Sequence, residues 1–334
     1  MSIPRVVYFN IDGGLDYENS LLRKWGHSGK LELVEAKASG GGPESFIEAA
    51  READGAVVEY LSLDRAVLGA LPSLRIVSVQ SIGYNNIDTA AASEFGIAVT
   101  NAPGFCVQET ALHTLGLLVD LARKITFLDR SVRAGSWNPL LGPLPRRLSG
   151  LTAGLVFFGG IPQRLAPALK AIGLRVMAWA PTKSAEFLGA FGVEKADTLD
   201  SLLEAADFVS LHTPLFDQTR HLISDRELGL MKPTAFLINT ARGAVVDEPA
   251  LVRALRSGAI AGAGIDVIED EDSETSELFG LENVVITPHA AFVSEESFRE
   301  AREICLRQQV QLLVENRRPD CVVNSFGESD GQGK

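Results

Sequence analysis

Short runs of β-branched and other apolar residues alternate with helix-like segments along most of this chain. In the N-terminal third, five such runs predict strands: RVVYFN (5–10), LELVEA (31–36), GAVVEY (55–60), LRIVSVQ (74–80) and GIAVTN (96–101). Strands that alternate with helices form a parallel, doubly wound sheet with helices over both faces. The pattern therefore predicts an α/β domain.

A long amphipathic helix is predicted over 107–125, and a second alternating series follows it. Its predicted strands are AGLVFF, LRVMAWA, ADFVSLH, AFLINT, AGAGIDV and NVVIT. Another long amphipathic helix is predicted at about 294–316, and the polar tail SFGESDGQGK (325–334) is predicted to be disordered. The chain thus predicts two α/β halves, and it crosses between them near the two long helices.

Composition narrows the class of protein. The chain has 334 residues, 46% hydrophobic and 22% charged, and its net charge of −12 argues against direct binding to nucleic acid. Cys106, Cys305 and Cys321 are too few and too scattered for a disulfide framework or a zinc site, which favours the cytoplasm. No signal peptide and no apolar run long enough for a membrane span are visible. The acidic run at 268–277 lacks the spacing of a calcium loop.

Three polar residues follow predicted strands of the second series. Arg242 comes after 235–239, Glu271 after 261–267 and His289 after 284–287. Ligands of parallel sheets bind outside the carboxyl ends of strands, so these three side chains could meet in one crevice. Each of them taken alone has an ordinary structural explanation, but the three together favour a catalytic site.

Several motifs resemble those of the D-isomer-specific 2-hydroxyacid dehydrogenases: SIGYNNID (81–88), TNAPGF (100–105), NTARGAVVDEPAL, GAGIDV and ITPHAAFVSEES. TPHAAFVSEES and GFCVQETALHTLGLL are most similar to the branch that contains the C-terminal-binding proteins. The resemblance implies two Rossmann-like or flavodoxin-like domains, with the cofactor domain (104–292) inserted into a substrate domain (1–103 plus 293–334). It also implies a homodimer joined through the cofactor domains.

The resemblance also implies an activity, which is reduction of a 2-oxo acid to the (R)-2-hydroxy acid with NADH or NADPH and without a metal. His289 would be the general acid, Glu271 would pair with it, and Arg242 would clamp the substrate carboxylate. Phe292 would wall the pocket for the substrate side chain. The other side of the carboxylate would be bound by backbone N–H groups of Gln80, Ser81, Ile82 and Gly83.

The segment GLVFFGGIPQ (154–163) departs from the glycine fingerprint of a dinucleotide site. Phe157 and Pro162 stand where the first and third glycines are expected, and only Gly159 keeps the second. A large ring at 157 is expected to obstruct the turn. Pro162 is tolerable at the first helical position but removes an N–H group from the anion site, and Pro167 should bend or break the following helix.

The resemblance implies further cofactor contacts. Ala180 replaces the acidic residue that binds the adenosine ribose in NAD-dependent relatives, so Thr182, Lys183 and Ser184 could bind a 2′-phosphate; the alternative is a solvated loop. NAD and NADP are therefore both left open. His113 and His221 are expected to be structural. The predicted cofactor-binding residues are Gly159, Gly160, Ile161, Pro162, Ala180, Thr182, Lys183, His212, Thr213, Pro214, Thr240, Ala241, Arg242, Asp266 and His289.

Two functions remain after these departures. An intact Arg242, Glu271 and His289 favour a working dehydrogenase with an unusual phosphate turn. The altered turn favours instead a catalytically weak protein of the C-terminal-binding-protein type, acting as a nucleotide sensor or a scaffold.

Overall fold

A computed structural model describes residues 3–38, 42–271, 273 and 275–327. Residues 328–334 of the predicted polar tail lie outside these ranges. The strands are β1 (Arg5–Phe9), β2 (Glu32–Ala36), β3 (Gly55–Val58), β4 (Ile76–Val79), β5 (Ala98–Thr100), β6 (Thr152–Val156), β7 (Arg175–Trp179), β8 (Glu194–Lys195), β9 (Phe208–Leu211), β10 (Phe236–Asn239), β11 (Gly262–Ile265) and β12 (Val284–Ile286).

The α-helices are α1 (Asp16–Lys24), α2 (Pro43–Ala50), α3 (Arg65–Gly69), α4 (Thr89–Glu94), α5 (Val107–Arg123), α6 (Ile125–Arg133), α7 (Gly160–Ala171), α8 (Ala185–Ala190), α9 (Leu199–Ala205), α10 (Asp225–Leu230), α11 (Glu248–Ser257) and α12 (Glu295–Leu313). Short 3₁₀ helices lie at Gly243–Val245 and Glu277–Gly280. Among the described helices, none combines the length and the apolarity that a bilayer crossing requires.

The chain forms two compact units, which are Met1–Phe105 with Ser294–Lys334, and Cys106–Val293. The boundaries predicted from sequence lay at 103/104 and 292/293, so the observed divisions fall within two residues of them. A discontinuous first unit means that the second unit is inserted into it along the chain.

The first unit is built on a parallel sheet with the strand order β2-β1-β3-β4-β5, which is the flavodoxin-like order. β3 and β4 are buried along their whole length, as expected for central strands covered on both faces. Helix α12 lies directly on them, because Gln309 donates from Nε2 to the carbonyl oxygen of Ala56 at 2.9 Å. A Cβ on Gly55 would lie 2.0 Å from Gln309 Oε1, so only glycine allows this close approach.

The second unit is built on a seven-stranded parallel sheet with the order β12-β11-β10-β9-β6-β7-β8. The chain starts at β6, runs outward to β8, then returns to the other side of β6 and continues from β9 to β12. This reversal is the topological switch point of a Rossmann fold, and ligands bind at the carboxyl ends of the strands there. Two clusters of buried apolar side chains pack on the sheet.

The predicted helix at 107–125 corresponds to α5 (Val107–Arg123), which ends before Lys124. This residue has a left-handed backbone conformation (φ 59°), which ends α5 and separates it from α6. Helix α6 has no buried residue. The short strand β8 was not predicted, because two residues are too few to show a periodic pattern.

Candidate active site

Three adjacent strands of the second unit carry the three residues that the sequence singled out. Arg242 lies three residues beyond the end of β10, Glu271 six beyond β11, and His289 three beyond β12. β10, β11 and β12 are neighbours in a parallel sheet, so all three residues extend from the same edge. The sequence prediction that they follow strand ends is therefore correct for each of them.

His289 and Glu271 form a hydrogen-bonded pair. His289 Nδ1 lies 2.8 Å from Glu271 Oε2, and the two side chains are 33% and 44% exposed. The ring of Phe292 meets the His289 ring edge-on, with 5.9 Å between centroids. The pair can orient an imidazole whose other nitrogen, Nε2, is then the one left to exchange a proton with a ligand.

Asp266 holds the backbone that carries His289. The N–H groups of His289, Ala290 and Ala291 donate in succession to the carbonyl oxygen, Oδ1 and Oδ2 of Asp266, at 2.7, 2.9 and 3.0 Å. His289 has φ 51°, a conformation that a non-glycine residue keeps only where the surrounding structure imposes it. The carboxylate of Asp266 is 1% exposed. The role of Asp266 in cofactor binding stays a prediction.

His113 joins the same network from α5. Its Nε2 lies 2.9 Å from Thr287 Oγ1 and 3.5 Å from Asp266 Oδ1, while Thr287 Oγ1 donates to Asp266 Oδ1 at 2.5 Å. His113 was expected to be structural, and that expectation did not include a contact with the loop that leads to His289. Nothing in the sequence pattern placed α5 opposite the end of β12.

The turn that carries Arg242 is fixed by the side chain of Asn239. Asn239 Nδ2 donates to the carbonyl oxygen of Arg242 at 3.0 Å, and Asn239 Oδ1 accepts from the N–H of Ala241 at 3.0 Å. A Cβ on Gly243 would lie 1.7 Å from the carbonyl oxygen of Ile268, so the turn packs directly on the segment that leads to Glu271. Thr240 is held from α5, because its Oγ1 lies 2.8 Å from Thr114 Oγ1.

The altered glycine turn keeps the backbone shape that a glycine would give it. Phe157 has φ 68°, in the left-handed region that favours glycine. Its ring does not fill the turn but packs edge-on against Trp179, with 5.6 Å between centroids. A Cβ on Gly159 would meet no heavy atom within 4 Å, so the space there is open. The expectation that the Phe157 ring obstructs the turn is not what the structure shows.

Helix α7 begins at Gly160, which makes Pro162 its third residue and not its first. The first four N–H groups of a helix have no partner within it, so a proline at the third position breaks no helical hydrogen bond. The N–H groups of Gly160 and Ile161 remain at this helix end, where an anion can bind. Pro167 lies inside α7 without breaking it, since the helix continues to Ala171.

The end of β7 carries no carboxylate. Ala180 is buried, and its carbonyl oxygen accepts from the N–H of Lys183 at 3.0 Å. Ser184 Oγ accepts from the N–H of Phe187 at 3.1 Å and thereby caps α8. Lys183 Nζ lies 5.0 Å from the centroid of the Phe187 ring, and Thr182 is exposed.

His212 follows β9 at the switch point, where its N–H donates to the carbonyl oxygen of Val156 at 3.0 Å. Its Nε2 lies 3.0 Å from Ser210 Oγ. Burial lowers the pKa of His212 to about 3, so the ring is neutral near pH 7 and cannot serve there as a proton donor of imidazolium type. Thr213 is buried, and its Oγ1 donates to the carbonyl oxygen of Pro214 at 3.1 Å.

In the first unit, Gln80 to Gly83 form the loop that follows β4. The carbonyl oxygen of Ser81 accepts from the N–H of Ala102 at 2.9 Å, and that of Ile82 accepts from Asn101 Nδ2 at 2.8 Å. Ser81 Oγ donates to the carbonyl oxygen of Gly83 at 2.5 Å. The loop is therefore held largely through its carbonyl oxygens. The N–H of Gln80 donates to the carbonyl oxygen of Val58 at 2.8 Å, so this group is not available for the predicted carboxylate binding, and the roles of Ser81, Ile82 and Gly83 stay predictions.

Comparison with known proteins decides the family. Residues 115–291 match the family described as D-isomer specific 2-hydroxyacid dehydrogenase, NAD binding domain. The chain is 40% identical over 287 residues to the glyoxylate reductase of Thermococcus litoralis. The alignment covers 84% of this chain and 86% of that protein. This chain belongs to the D-isomer specific 2-hydroxyacid dehydrogenase family.

Solved structures of similar proteins agree with this family. The TT0316 protein of Thermus thermophilus has a TM-score of 0.84 and 34% identity, covering 96% of this chain and 99% of that one. The D-isomer specific 2-hydroxyacid dehydrogenase of Lactobacillus delbrueckii ssp. bulgaricus, solved in an NAD-complexed form, has a TM-score of 0.77 and 29% identity, covering 96% and 100%.

The chain is accordingly an NAD(P)-dependent oxidoreductase that interconverts 2-oxo acids and 2-hydroxy acids. Its fold of two parallel-sheet α/β units and its use of a nicotinamide cofactor, both predicted from the sequence, are confirmed. The narrower assignment to the C-terminal-binding-protein branch stays a prediction. Within the described ranges, no group of three His, Cys, Asp or Glu side chains is placed to hold a metal ion.

Proposed function

We propose that this dehydrogenase reduces glyoxylate to glycolate, or another small 2-oxo acid to the (R)-2-hydroxy acid. The observation that carries the proposal is the His289–Glu271 pair at 2.8 Å, on the strand edge that also carries Arg242. A bound nicotinamide would supply the hydride that the carbonyl carbon receives. His289 Nε2 gives its proton to the carbonyl oxygen, and Glu271 stabilises the imidazolium before that transfer.

Arg242 binds the substrate carboxylate in this proposal. A planar guanidinium matches the two oxygens of a carboxylate and also polarises the neighbouring carbonyl group. Phe292, edge-on to the His289 ring, forms an apolar wall for the substrate side chain. Glyoxylate is the first substrate to test, because the similar curated proteins carry the name glyoxylate reductase.

The turn at Gly159 and the N–H groups of Gly160 and Ile161 would hold the cofactor phosphates. The left-handed Phe157 preserves the turn, and the free space at Gly159 lets a pyrophosphate approach the backbone. The residues present therefore fit a dinucleotide. A fluorescence titration of NADH and of NADPH tests this directly. Binding of neither cofactor would overturn the dehydrogenase proposal and favour the scaffold function.

Ala180→Asp is expected to weaken NADPH binding by about 10- to 100-fold without weakening NADH, because a new carboxylate would repel a 2′-phosphate and bind ribose hydroxyls. The titration compares both cofactors on both proteins. Lys183→Met is the companion variant: weaker NADPH alone would make Lys183 a phosphate ligand, and unchanged binding would make it a solvated residue. Equal loss of both cofactors in Ala180→Asp would contradict the proposed position of the adenosine.

We also propose that the protein is a homodimer joined through its second unit. Helix α6 has no buried residue, and Lys124 Nζ donates to the carbonyl oxygen of Pro143 at 2.9 Å, which brings the following segment beside it. Exposed apolar patches of this kind mark interaction sites. The exposed apolar side chains of α5, α6 and the segment that follows them are Leu112, Ile125, Val132, Trp137, Leu140 and Leu144.

Trp137→Asp is expected to convert the dimer into a monomer, since Trp137 is 88% exposed in the single chain and a charge would not be tolerated in an apolar interface. Light scattering coupled to size-exclusion chromatography measures the change. Ile3→Asp, at an exposed apolar residue of the first unit, is the control and should leave the mass unchanged. A wild-type monomer would contradict the proposal.

A further inference from the structure

A second histidine–glutamate pair lies beside the catalytic one. His221 Nε2 is 2.7 Å from Glu269 Oε1, and Glu269 precedes Glu271 by two residues. The backbone of His221 is attached elsewhere, because its N–H donates to the carbonyl oxygen of Ala244 at 2.8 Å. His221 thus joins the 3₁₀ turn that follows Arg242 to the segment that leads to Glu271.

Glu248, the first residue of α11, holds that segment on both sides of Glu271. Its Oε2 accepts from the N–H of Glu269 at 3.1 Å, and its Oε1 accepts from Ser276 Oγ at 2.5 Å. The segment is therefore bonded before and after Glu271 to one carboxylate. The close packing of Gly243 on Ile268 adds a third attachment, which involves the neighbour of Arg242.

The carboxylates around Glu269 show why the contact from His221 matters for this arrangement. Glu248, Glu269 and Glu271 are carboxylates along one short stretch of structure, and like charges at such separations repel. Arg220 also lies near Glu269, with its Nη1 3.9 Å from Oε1 at an exposed position. The Glu269 side chain is held by the 2.7 Å contact from His221 to Oε1 and by a longer contact, 3.5 Å, from the N–H of Glu248 to Oε2.

We propose that His221 is a positioning residue for the reductase reaction, and this inference rests on the function proposed above. Through Glu269, the His221 side chain fixes the segment that places Glu271 against His289. The bond to Ala244 is made by the backbone N–H of His221 and does not depend on this side chain. His221 does not touch the reacting atoms. Its effect on turnover therefore passes through Glu271.

His221→Ala is expected to lower kcat for glyoxylate reduction by about 10-fold, because a small displacement of a catalytic side chain has effects of that size or larger. The KM for NADPH should stay unchanged. His221→Gln should recover most of the activity, since its Nε2 can still donate to Glu269. His27→Ala is the matched control, because His27 also pairs with a glutamate, Glu315, at 3.4 Å and lies in the first unit.

The decisive measurement is the double variant His221→Ala/Glu271→Gln. If His221 acts through Glu271, removing His221 should lower kcat no further once Glu271 is replaced by glutamine. An independent structural effect of His221→Ala would instead multiply with the loss caused by Glu271→Gln. Multiplying losses, or an unchanged kcat in His221→Ala, would overturn the inference while leaving the proposed function intact. A wild-type protein without turnover on any 2-oxo acid would overturn the proposed function and this inference together.

Discussion

His289→Asn is expected to lower kcat for 2-oxo acid reduction by about 10²- to 10⁴-fold, which is the contribution typical of a general acid. Asparagine removes the exchangeable proton but tolerates the left-handed backbone at this position, where φ is 51°. The loop held by Asp266 should therefore keep its shape. Oxidation of NADH or NADPH, whichever the titration shows to bind, is followed by absorbance and gives kcat, and the titration should show unchanged cofactor affinity.

The control for this variant is His27→Asn, which also exchanges a histidine paired with a glutamate and should leave kcat unchanged. Melting temperatures of both variants establish that loss of activity is not loss of fold. A His289→Asn protein that still turns over within a factor of about ten of wild type would contradict the assignment of His289 as the acid, because that loss is smaller than a general acid contributes.

The sequence was sufficient for the fold and for the three residues proposed for catalysis, and the reason is geometric. In a parallel sheet all strands end at one edge, so a polar residue just after a strand has a predictable position. Arg242, Glu271 and His289 each follow a strand that its apolar run made visible. This argument needs only the order of elements along the chain.

The support around those residues could not be predicted in the same way. Asp266 binds three successive N–H groups only because His289 adopts a left-handed conformation, and no sequence pattern indicated that conformation. His113 and His221 act across elements that are distant in sequence, through α5 and through the loop after β9. Their partners, Thr287 and Glu269, are set by tertiary packing.

The glycine turn shows where reasoning from residue type alone is wrong. Phe157 was expected to obstruct the turn because its ring is large. In the structure, the backbone of Phe157 takes the left-handed conformation that favours glycine, while its ring packs on Trp179 and does not fill the turn. Pro162 was expected at the first position of α7, but the helix starts two residues before it. The N–H groups of the first turn make no intrahelical bonds, so the position of a proline there does not determine where the helix begins.

Arg242→Lys is expected to lower kcat/KM for glyoxylate by about 10²- to 10³-fold, although it keeps the positive charge. A lysine offers one rotating ammonium group in place of the planar fork, so the paired charge-assisted hydrogen bonds to a carboxylate are lost. Two bonds of the surrounding turn use the backbone of the turn and the side chain of Asn239, and these should persist in the variant. The Arg242 side chain contributes one further bond, from Nη1 to the carbonyl oxygen of Ala241 at 2.7 Å. Steady-state kinetics with varied glyoxylate measures the loss.

Arg220→Lys is the matched control, since Arg220 is an exposed arginine whose closest carboxylate contact, to Glu269, is 3.9 Å long. It should retain wild-type kcat/KM, because exposed ion pairs contribute little. If Arg242 binds the substrate carboxylate, its variant should also lose inhibition by oxalate, a planar dicarboxylate, while its affinity for NADPH is unchanged. A loss of NADPH affinity with oxalate inhibition retained would instead assign Arg242 to the cofactor.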